Sequence, residues 1–210
     1  MKKTAAERLD ELVAMDREIW AQGIVFAGLD EAGRGPLAGP VVAGCAVMPC
    51  EPLLCGVDDS KKLSAKRREA LYERILETAV FAGTGVASVE EIDRLNILEA
   101  TRLAMERAAG GAPCSLFLLD AMEGVRLPGR QRSVIHGDAL CYSIAAASII
   151  AKVTRDRMMR ELDARYPQYG FAAHKGYGTR AHIEALCTLG PCPEHRRSFI
   201  GRFVGPEAGL

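Results

Sequence analysis

An α/β fold is the class that this 210-residue chain predicts, and three observations support it. Short runs of apolar residues alternate along the chain with longer segments whose apolar residues recur at helical spacing. Residues 116–119 are wholly apolar, which is typical of a central strand covered on both faces. With 49% hydrophobic residues, the chain is long enough for one full core.

The first part of the chain predicts a helix, two strands and a second helix. Residues 4–20 mix apolar side chains with charges at helical spacing, and residues 24–29 and 41–48 are the apolar runs of two strands. Ser64 has the hydroxyl of an N-cap and begins a helix that runs to about residue 79. The apolar side of that helix is predicted to consist of Leu71, Ile75, Leu76 and Ala79.

The middle of the chain predicts three strands around a helical region. Residues 80–88 have strand character, and the motif Ser88-Val89-Glu90-Glu91 opens one or two helices that end by residue 109. Two glycines follow and stop the helical pattern. Residues 116–120 and 132–135 are the remaining strands.

The last part of the chain is predicted to be helical. Asp138 precedes the longest helix, residues 139–165, which Tyr166-Pro167 ends. A loop follows over residues 168–178, and Thr179 caps one more helix.

We expect one domain formed by residues 1–165, with residues 166–210 as a loop and helical extension packed on it. The longest apolar stretch, residues 144–151, is far shorter than the roughly 20 residues of a membrane span. Acidic residues follow Lys2 and Lys3 where a secretion signal would be apolar, so a cytoplasmic protein is expected.

Seven cysteines in apolar segments are typical of buried thiols in a reducing compartment. A zinc site built from the pairs Cys50/Cys55 and Cys187/Cys192 is the disfavoured alternative, because neither pair has the close spacing of a zinc knuckle.

Charge is distributed unevenly along a chain whose formal net charge is zero. Residues 1–125 carry 14 Lys and Arg against 20 Asp and Glu, whereas residues 126–202 carry 13 against 6. The zero total argues against a protein that coats nucleic acid non-specifically, while a basic half beside an acidic cluster suits a metal-dependent nuclease. Taken alone, the asymmetry is better explained as solvated surface.

Four acids stand at the ends of predicted elements: Asp30, Glu31, Asp120 and Asp138. The carboxyl ends of neighbouring strands form the crevice where α/β proteins bind ligands, so these carboxylates are expected to converge. Like charges so close require a cation, and two Mg²⁺ or Mn²⁺ ions are the expected cofactors for phosphodiester hydrolysis.

Plain structural roles are open for the same acids. Asp138 is well placed as the N-cap of the long helix, and Asp120 precedes a possible turn. Asp30 and Glu31 are harder to explain structurally, because adjacent acids at the end of a buried strand are costly unless they are paired.

Two loops have the composition of a nucleic-acid contact. Gly33-Arg34-Gly35 leaves the backbone open to a ribose or phosphate. His174-Lys175-Gly176-Tyr177 combines cations with an aromatic ring that suits stacking on a sugar or base, although Tyr177 packed on the core is the alternative. Phosphate contact and solvated surface are both open for the basic residues Lys61, Lys62, Lys66, Arg67, Arg68, Arg196 and Arg197.

Taken together, these motifs resemble type 2 ribonucleases H, specifically the bacterial ribonuclease HII family. The matching stretches span almost the whole chain in order: GLDEAGRGPLAGPVVAGCAV (28–47), DDSKKLS (58–64), EEIDRLNILEATRLAMERA (90–108), LLDA (118–121), HGDA (136–139), SIAAASIIAKVTRD (143–156), YPQYGFAAHKGYGT (166–179) and HRRSF (195–199).

The resemblance implies a ribonuclease H-like mixed β-sheet flanked by helices. It implies hydrolysis of RNA paired to DNA, and of single ribonucleotides in duplex DNA, with 3′-hydroxyl and 5′-phosphate ends. The family's metal-binding acids fall on Asp30, Glu31, Asp120 and Asp138. Its ribose-reading element falls on Gly33, Arg34 and Gly35, and its junction tyrosine falls on Tyr177. Lys61, His174 and Lys175 are expected to contact substrate, and the protein is expected to be a monomer.

The chain departs from the family at His136, which stands where a lysine is usual. A titratable imidazole in place of a constant cation can alter phosphate contact or pH dependence. Asp156 is a fifth acid within the matched region, and because it lies in the middle of the long helix, far from Asp138, we expect it to be structural or to support residues that contact the metal. A DNA-specific nuclease and a non-catalytic nucleic-acid binding module are the alternative functions on the same fold.

Overall fold

A five-stranded mixed sheet lies at the centre of the protein in the computed structural model, which describes residues 4–204. The strands are β1 Phe26–Ala32, β2 Val41–Val47, β3 Phe81–Ala87, β4 Leu116–Asp120 and β5 Arg130–Val134. Their order is β3-β2-β1-β4-β5. β1 and β3 run antiparallel to β2, whereas β4 runs parallel to both β1 and β5. The predicted mixed α/β class is confirmed.

Helices connect and cover these strands. The longer ones are α1 Ala5–Leu12, α2 Ala14–Trp20, α3 Ala65–Thr78, α4 Val89–Leu95, α5 Ile97–Ala108, α7 Tyr142–Arg165 and α9 Arg180–Leu189. Single turns form α6 Gly137–Leu140, α8 Phe171–His174 and α10 Arg197–Ile200. Across residues 4–204, none of the helices combines the length and apolar character that a bilayer crossing requires.

The predicted helix caps are confirmed at three positions. The Ser64 hydroxyl accepts the N–H of Arg67 at the start of α3. Ser88 and Glu91 form the capping box of α4, and Thr179 caps α9. The assignment of Leu76 to the apolar side of α3 is wrong, because its side chain is 43% exposed.

Both faces of the sheet are buried by helices. On one face, Ala104 and Met105 of α5 lie in a cluster with Leu29 of β1. On the other face, Ile150 of α7 lies in a cluster with Ala46 of β2. The core therefore has three layers, with α5 and α7 on opposite sides of the central strands.

Small residues let α7 approach the sheet closely. The small side chains of α7 are all buried: Ala145, Ala146, Ala147, Ser148 and Ala151. On the strand side, a Cβ at Gly28 would overlap the backbone of Ser143. A Cβ at Gly44 would overlap the Ala147 carbonyl, so glycine is required at both strand positions.

The N-terminal helix predicted over residues 4–20 is divided at Val13 into α1 and α2. The division brings Asp16 of α2 to the N-terminus of α7. Its buried carboxylate accepts the N–H groups of Tyr142 at 2.8 Å and Ser143 at 2.9 Å, and the Ser143 hydroxyl at 2.6 Å. The predicted cap of the long helix by Asp138 is therefore wrong, because α6 forms first and the cap comes from Asp16.

Residues 166–204 pack against the segment that links β1 to β2. The Leu37 N–H donates to the Gly176 carbonyl, and the Gly39 N–H donates to the Glu194 carbonyl, each at 2.8 Å. Ala38 forms an isolated bridge with His195. Residues 205–210 of the expected extension, and Lys2 and Lys3 at the other end, lie outside the described residues.

All seven cysteines are free thiols. Between residues 4 and 204, no group of cysteines comes close enough to share a metal ion, so the zinc alternative has no support.

Candidate active site

Three aspartates meet at the carboxyl ends of the two central parallel strands. Asp30 lies on β1 and Asp120 is the last residue of β4. The register pairs Leu29 with Leu119, so the two carboxylates lie on adjacent strands at the same level of the sheet. Asp138 joins them from α6, and one oxygen of each aspartate lies within 4.8 Å of the others. The predicted convergence is thus observed for three of the four acids.

The strand β1 is longer than predicted, which changes how its acids are held. It extends to Ala32, so Asp30 and Glu31 lie within the strand and pair with Gly44 and Ala43 of β2. Successive strand residues point to opposite faces of a sheet. Near the strand end, however, both carboxylates reach the same cleft, which they help to line.

Asp120 positions the turn that delivers Asp138. His136 adopts the left-handed conformation with φ 57°, and the following Gly137 N–H donates to Asp120 Oδ1 at 2.7 Å. A Cβ at Gly137 would overlap the Ile144 side chain. Turn chemistry and membership of the acid cluster are therefore both roles of Asp120.

Glu31 supplies a fourth carboxylate with an unsatisfied oxygen. Its Oε1 accepts a hydrogen bond from Arg34 at 3.3 Å. Its Oε2 is buried and has no hydrogen-bond partner within residues 4–204. A buried carboxylate oxygen without a partner is costly, and a hard divalent cation is the ligand that such an oxygen prefers. The four acids therefore fit divalent metal ions.

Burial and mutual repulsion shift the proton affinity of the cluster. Burial, followed by repulsion from Glu31 and Asp120, raises the pKa of Asp30 well above its usual range. Burial also raises the pKa of Asp120, with further repulsion from Asp138. Burial raises the pKa of Glu31 although Arg34 opposes the shift. The metal-free cluster therefore takes up protons at a higher pH than isolated carboxyl groups do, and a divalent ion would compete with those protons for the same oxygens.

Lys61 places a cation at the edge of the cluster. It comes from the 3₁₀ turn Ser60–Lys62, and its Nζ donates to Asp138 Oδ2 at 3.0 Å. Burial lowers the pKa of Lys61, but the bond to Asp138 outweighs it, so the pKa is raised overall. The Lys61 side chain is 73% exposed, which leaves the ammonium accessible to a substrate phosphate.

A cavity of about 210 Å³ opens beside the acids. Its lining residues are Asp30, Glu31, Ala32, Gly33, Arg34, Gly35, Ser60, Lys61, Asp120, Lys152, Arg155 and Tyr177. The cleft thus unites the acids with the predicted Gly33–Gly35 element, Tyr177 and Lys61.

The backbone of the Gly33–Gly35 element is held close to its neighbours. Gly33 has φ 98°, and a Cβ there would overlap the Arg155 side chain, so two independent constraints select glycine. A Cβ at Gly35 would lie 3.9 Å from the Tyr177 ring. Tyr177 is 47% exposed, so the alternative that it packs on the core is wrong.

His174 and Lys175 do not line the cleft. The His174 ring stacks on His182 with centroids 4.3 Å apart, and its Nε2 lies 2.8 Å from the Tyr169 carbonyl oxygen. Its Nδ1 accepts the Gly176 N–H at 3.1 Å. Lys175 Nζ donates to the Ala172 carbonyl. Both side chains are thus held by contacts within the protein, and the geometry does not favour their predicted contact with substrate.

The sequence analysis did not predict four residues that line the cleft, Ala32, Ser60, Lys152 and Arg155. Lys152 and Arg155 lie on α7, and Lys152 pairs with Asp156, which also faces Arg68 at 3.6 Å. The available signal was the appearance of charged residues on a helix whose preceding turns are wholly buried. Asp156 therefore orders two cations beside the cleft.

Arg196 has neither of the two roles that the sequence left open for it. Neither phosphate contact nor solvated surface describes it, because the side chain is completely buried. A neighbouring arginine, Arg155, is 1% exposed, and both guanidinium groups bind backbone carbonyl oxygens.

Comparisons with known proteins agree on one family. The family model described as ribonuclease HII matches residues 27–202. A curated ribonuclease HII from Geobacillus kaustophilus (strain HTA426) is 55% identical over 196 residues, which cover 92% of this chain and 75% of that protein.

Two solved structures share the fold at 26% sequence identity. The ribonuclease H2 crystal structure from Pyrococcus horikoshii OT3 superposes with a TM-score of 0.67 and covers 85% of this chain and 98% of that chain. RNase HII from Archaeoglobus fulgidus, solved in a complex with PCNA, superposes with a TM-score of 0.70 and covers 86% and 97% of the respective chains.

Proposed function

This chain belongs to the ribonuclease HII family of metal-dependent endoribonucleases, and we propose that it hydrolyses RNA paired to DNA and single ribonucleotides embedded in duplex DNA. One observation carries the substrate proposal. The acid cluster and the Gly33–Gly35 element line the same cleft and are separated by one residue of chain. This adjacency supports the proposal that a group which would read the sugar lies beside the groups that would hold the metal ions.

Asp30, Glu31, Asp120 and Asp138 would hold two divalent ions, Mg²⁺ or Mn²⁺. Such ions supply an activated water and charge stabilisation for the leaving oxygen in phosphodiester hydrolysis. The protein's own contribution is to preorganise these oxygens, since Asp120 is fixed by the Gly137 N–H and Asp30 Oδ1 accepts the Glu31 N–H at 2.7 Å. Preorganised ligands lose little freedom when the ions bind.

The backbone of Gly33, Arg34 and Gly35 would test the substrate for a ribose. The 2′-hydroxyl is a donor and an acceptor that DNA lacks, so backbone N–H and C=O groups can distinguish the two sugars at one nucleotide. Tyr177 would stack on the sugar that follows, because its half-exposed ring lies beside Gly35. Lys61 would bind a phosphate beside the scissile bond.

In the proposed reaction, water attacks the phosphorus atom and the bond to O3′ breaks. The proton balance closes when the departing O3′ takes up a proton, which leaves a 3′-hydroxyl and a 5′-phosphate. Monomeric action in the cytoplasm stays a prediction, as does the division into residues 1–165 and a packed extension.

A duplex with one embedded ribonucleotide tests this proposal. We expect Mg²⁺- or Mn²⁺-dependent cutting at the ribonucleotide, and loss of cutting in Asp120→Asn with folding intact. Asp10→Asn removes a carboxylate that is 67% exposed and does not line the cleft, so the variant should cut normally. Efficient cutting of the matched all-DNA duplex would favour a DNA-specific nuclease, and absence of metal binding in calorimetry would favour a binding module.

A further inference from the structure

The Arg196 guanidinium group holds three carbonyl oxygens of the segment that contains the sugar-reading element. Its Nη2 donates to the Gly33 carbonyl at 2.6 Å, and its Nη1 donates to the Arg34 carbonyl at 2.9 Å. Its Nε donates to the Gly39 carbonyl at 2.9 Å. One side chain therefore fixes two successive peptide planes of this element, and a third at Gly39, just before β2 begins.

A contact that fixes the direction of a carbonyl group also fixes the direction of the N–H group in the same peptide unit. The peptide unit is planar and trans, so its C=O and N–H bonds point in opposite directions. Because Arg196 draws the carbonyls of Gly33 and Arg34 inward, the N–H groups of Arg34 and Gly35 face away from it. Neither of these N–H groups donates a hydrogen bond to any group in residues 4–204. The buried Arg196 guanidinium group thus sets the direction of two N–H groups that have no acceptor among the described residues.

Burial of the Arg196 guanidinium group costs free energy of desolvation. Its side chain is completely buried, and no carboxylate forms an ion pair with it in the described part of the chain. Burial, with repulsion from Arg155, lowers the pKa of Arg196 to about 9. A buried charge without a counter-ion is costly, and carbonyl dipoles are its compensation here.

Arg155, the second buried arginine, binds carbonyl groups outside the Gly33–Gly35 element. Arg155 donates to the carbonyls of Ala38, Pro40 and Lys175. Its guanidinium forms no hydrogen bond with a carbonyl of residues 33–35. Arg155 therefore braces the surroundings of the element, whereas Arg196 alone sets the direction of its peptide planes.

We propose that Arg196 is a positioning residue for sugar recognition, which orients the Arg34 and Gly35 N–H groups toward the ribose 2′-hydroxyl without touching substrate. This inference rests on the proposed function. Arg196 would therefore govern the preference for a ribonucleotide over a deoxyribonucleotide, and not the binding of metal.

The test compares binding of two duplexes that differ by one 2′-hydroxyl. Fluorescence anisotropy gives the ratio of dissociation constants for the all-DNA duplex and the duplex with one ribonucleotide, in an Asp120→Asn background that blocks cutting. Arg196→Met, which removes all three donors, should lower this ratio about tenfold. Arg196→Lys keeps the charge with a single donor site, so it should fold more readily and still lower the ratio severalfold.

Two measurements separate positioning from general destabilisation. Ile75→Ala opens a cavity in a distant part of the core and should lower the melting temperature with the ratio unchanged. Calorimetric Mg²⁺ titration of Arg196→Lys, in an otherwise intact active site, should match that of the parent protein.

An unchanged ratio in Arg196→Lys would overturn the inference, and so would an equal loss in Ile75→Ala. If the parent protein itself does not prefer the ribonucleotide duplex, the proposed function fails instead.

Discussion

Removing one charge from the acid cluster should stabilise the metal-free protein. Asp30 is 5% exposed, and its carboxylate lies with those of Asp120 and Asp138, one oxygen of each being within 4.8 Å of the others. At an effective dielectric constant of about 20, two unit charges at this separation repel by roughly 3.5 kcal/mol. Asp30→Asn removes this repulsion and keeps an oxygen that can accept the Glu31 N–H.

Only part of that repulsion is available as stability. The raised pKa of Asp30 means that proton uptake already relieves some of it in the parent protein. We therefore expect Asp30→Asn to raise the free energy of unfolding by about 1–3 kcal/mol near pH 8, with chelator present. For a chain of this length, that corresponds to roughly 3–9 °C in melting temperature.

Thermal unfolding with chelator and with millimolar Mg²⁺ measures the effect. Ligand binding to the native state stabilises the parent protein, while the variant has lost a ligand oxygen and should gain less. The order of stability of the two proteins should therefore approach equality or reverse when Mg²⁺ is added. Asp10→Asn, the exposed control, should change stability by no more than about 0.5 kcal/mol in both conditions.

A lower melting temperature of Asp30→Asn in chelator, beyond that of Asp10→Asn, would refute the reasoning. It would show that the carboxylate of Asp30 is stabilised by the fold without metal. An equal response of both proteins to Mg²⁺ would separately refute Asp30 as a ligand.

Three further outcomes are expected. Asp16→Ala leaves the buried donors of Tyr142 and Ser143 without their acceptor, and denaturant unfolding should show a loss of about 2–5 kcal/mol. Gly44→Ala should cost more than about 1 kcal/mol in the same measurement and lower the yield of folded protein, since its Cβ overlaps the backbone of α7. Burial lowers the pKa of His195 to about 4, so neutral His195 contributes fully to the free energy of unfolding above about pH 6.5, and this contribution falls by up to about 3 kcal/mol as the pH drops to 4. His195→Gln should reduce the dependence of the free energy of unfolding on pH between about 4 and 6.5. The same pH dependence in the variant and the parent protein would contradict this prediction.

Local signals were sufficient for most elements of the fold. Ser64, Ser88 and Thr179 cap the helices that they were predicted to cap, because an N-cap is a contact between a side chain and backbone groups three residues away. The strand of residues 116–120 was likewise predicted from a local pattern, its run of apolar residues. Leu76 shows the limit, since helical spacing does not reveal how wide the buried side of α3 is.

Residue type was enough to predict where the candidate acids would lie. Carboxylates at strand ends indicated Asp30, Glu31 and Asp120, and these line one cleft. The prediction was less successful for His174, because an aromatic and basic loop has the same composition whether its rings face solvent or each other. The stacked contact of His174 with His182 arises only when the loop folds against α9.

The sequence by itself determined the candidate residues for metal binding and sugar recognition, and most of the helices and strands that carry them. Only the tertiary structure decided which residues hold them in place. Asp16 caps a helix 126 positions away, and Arg196 binds a carbonyl oxygen of a loop that is 163 positions away. Such partners are chosen by chain topology, and no local pattern distinguishes a solvated arginine from one that the fold encloses.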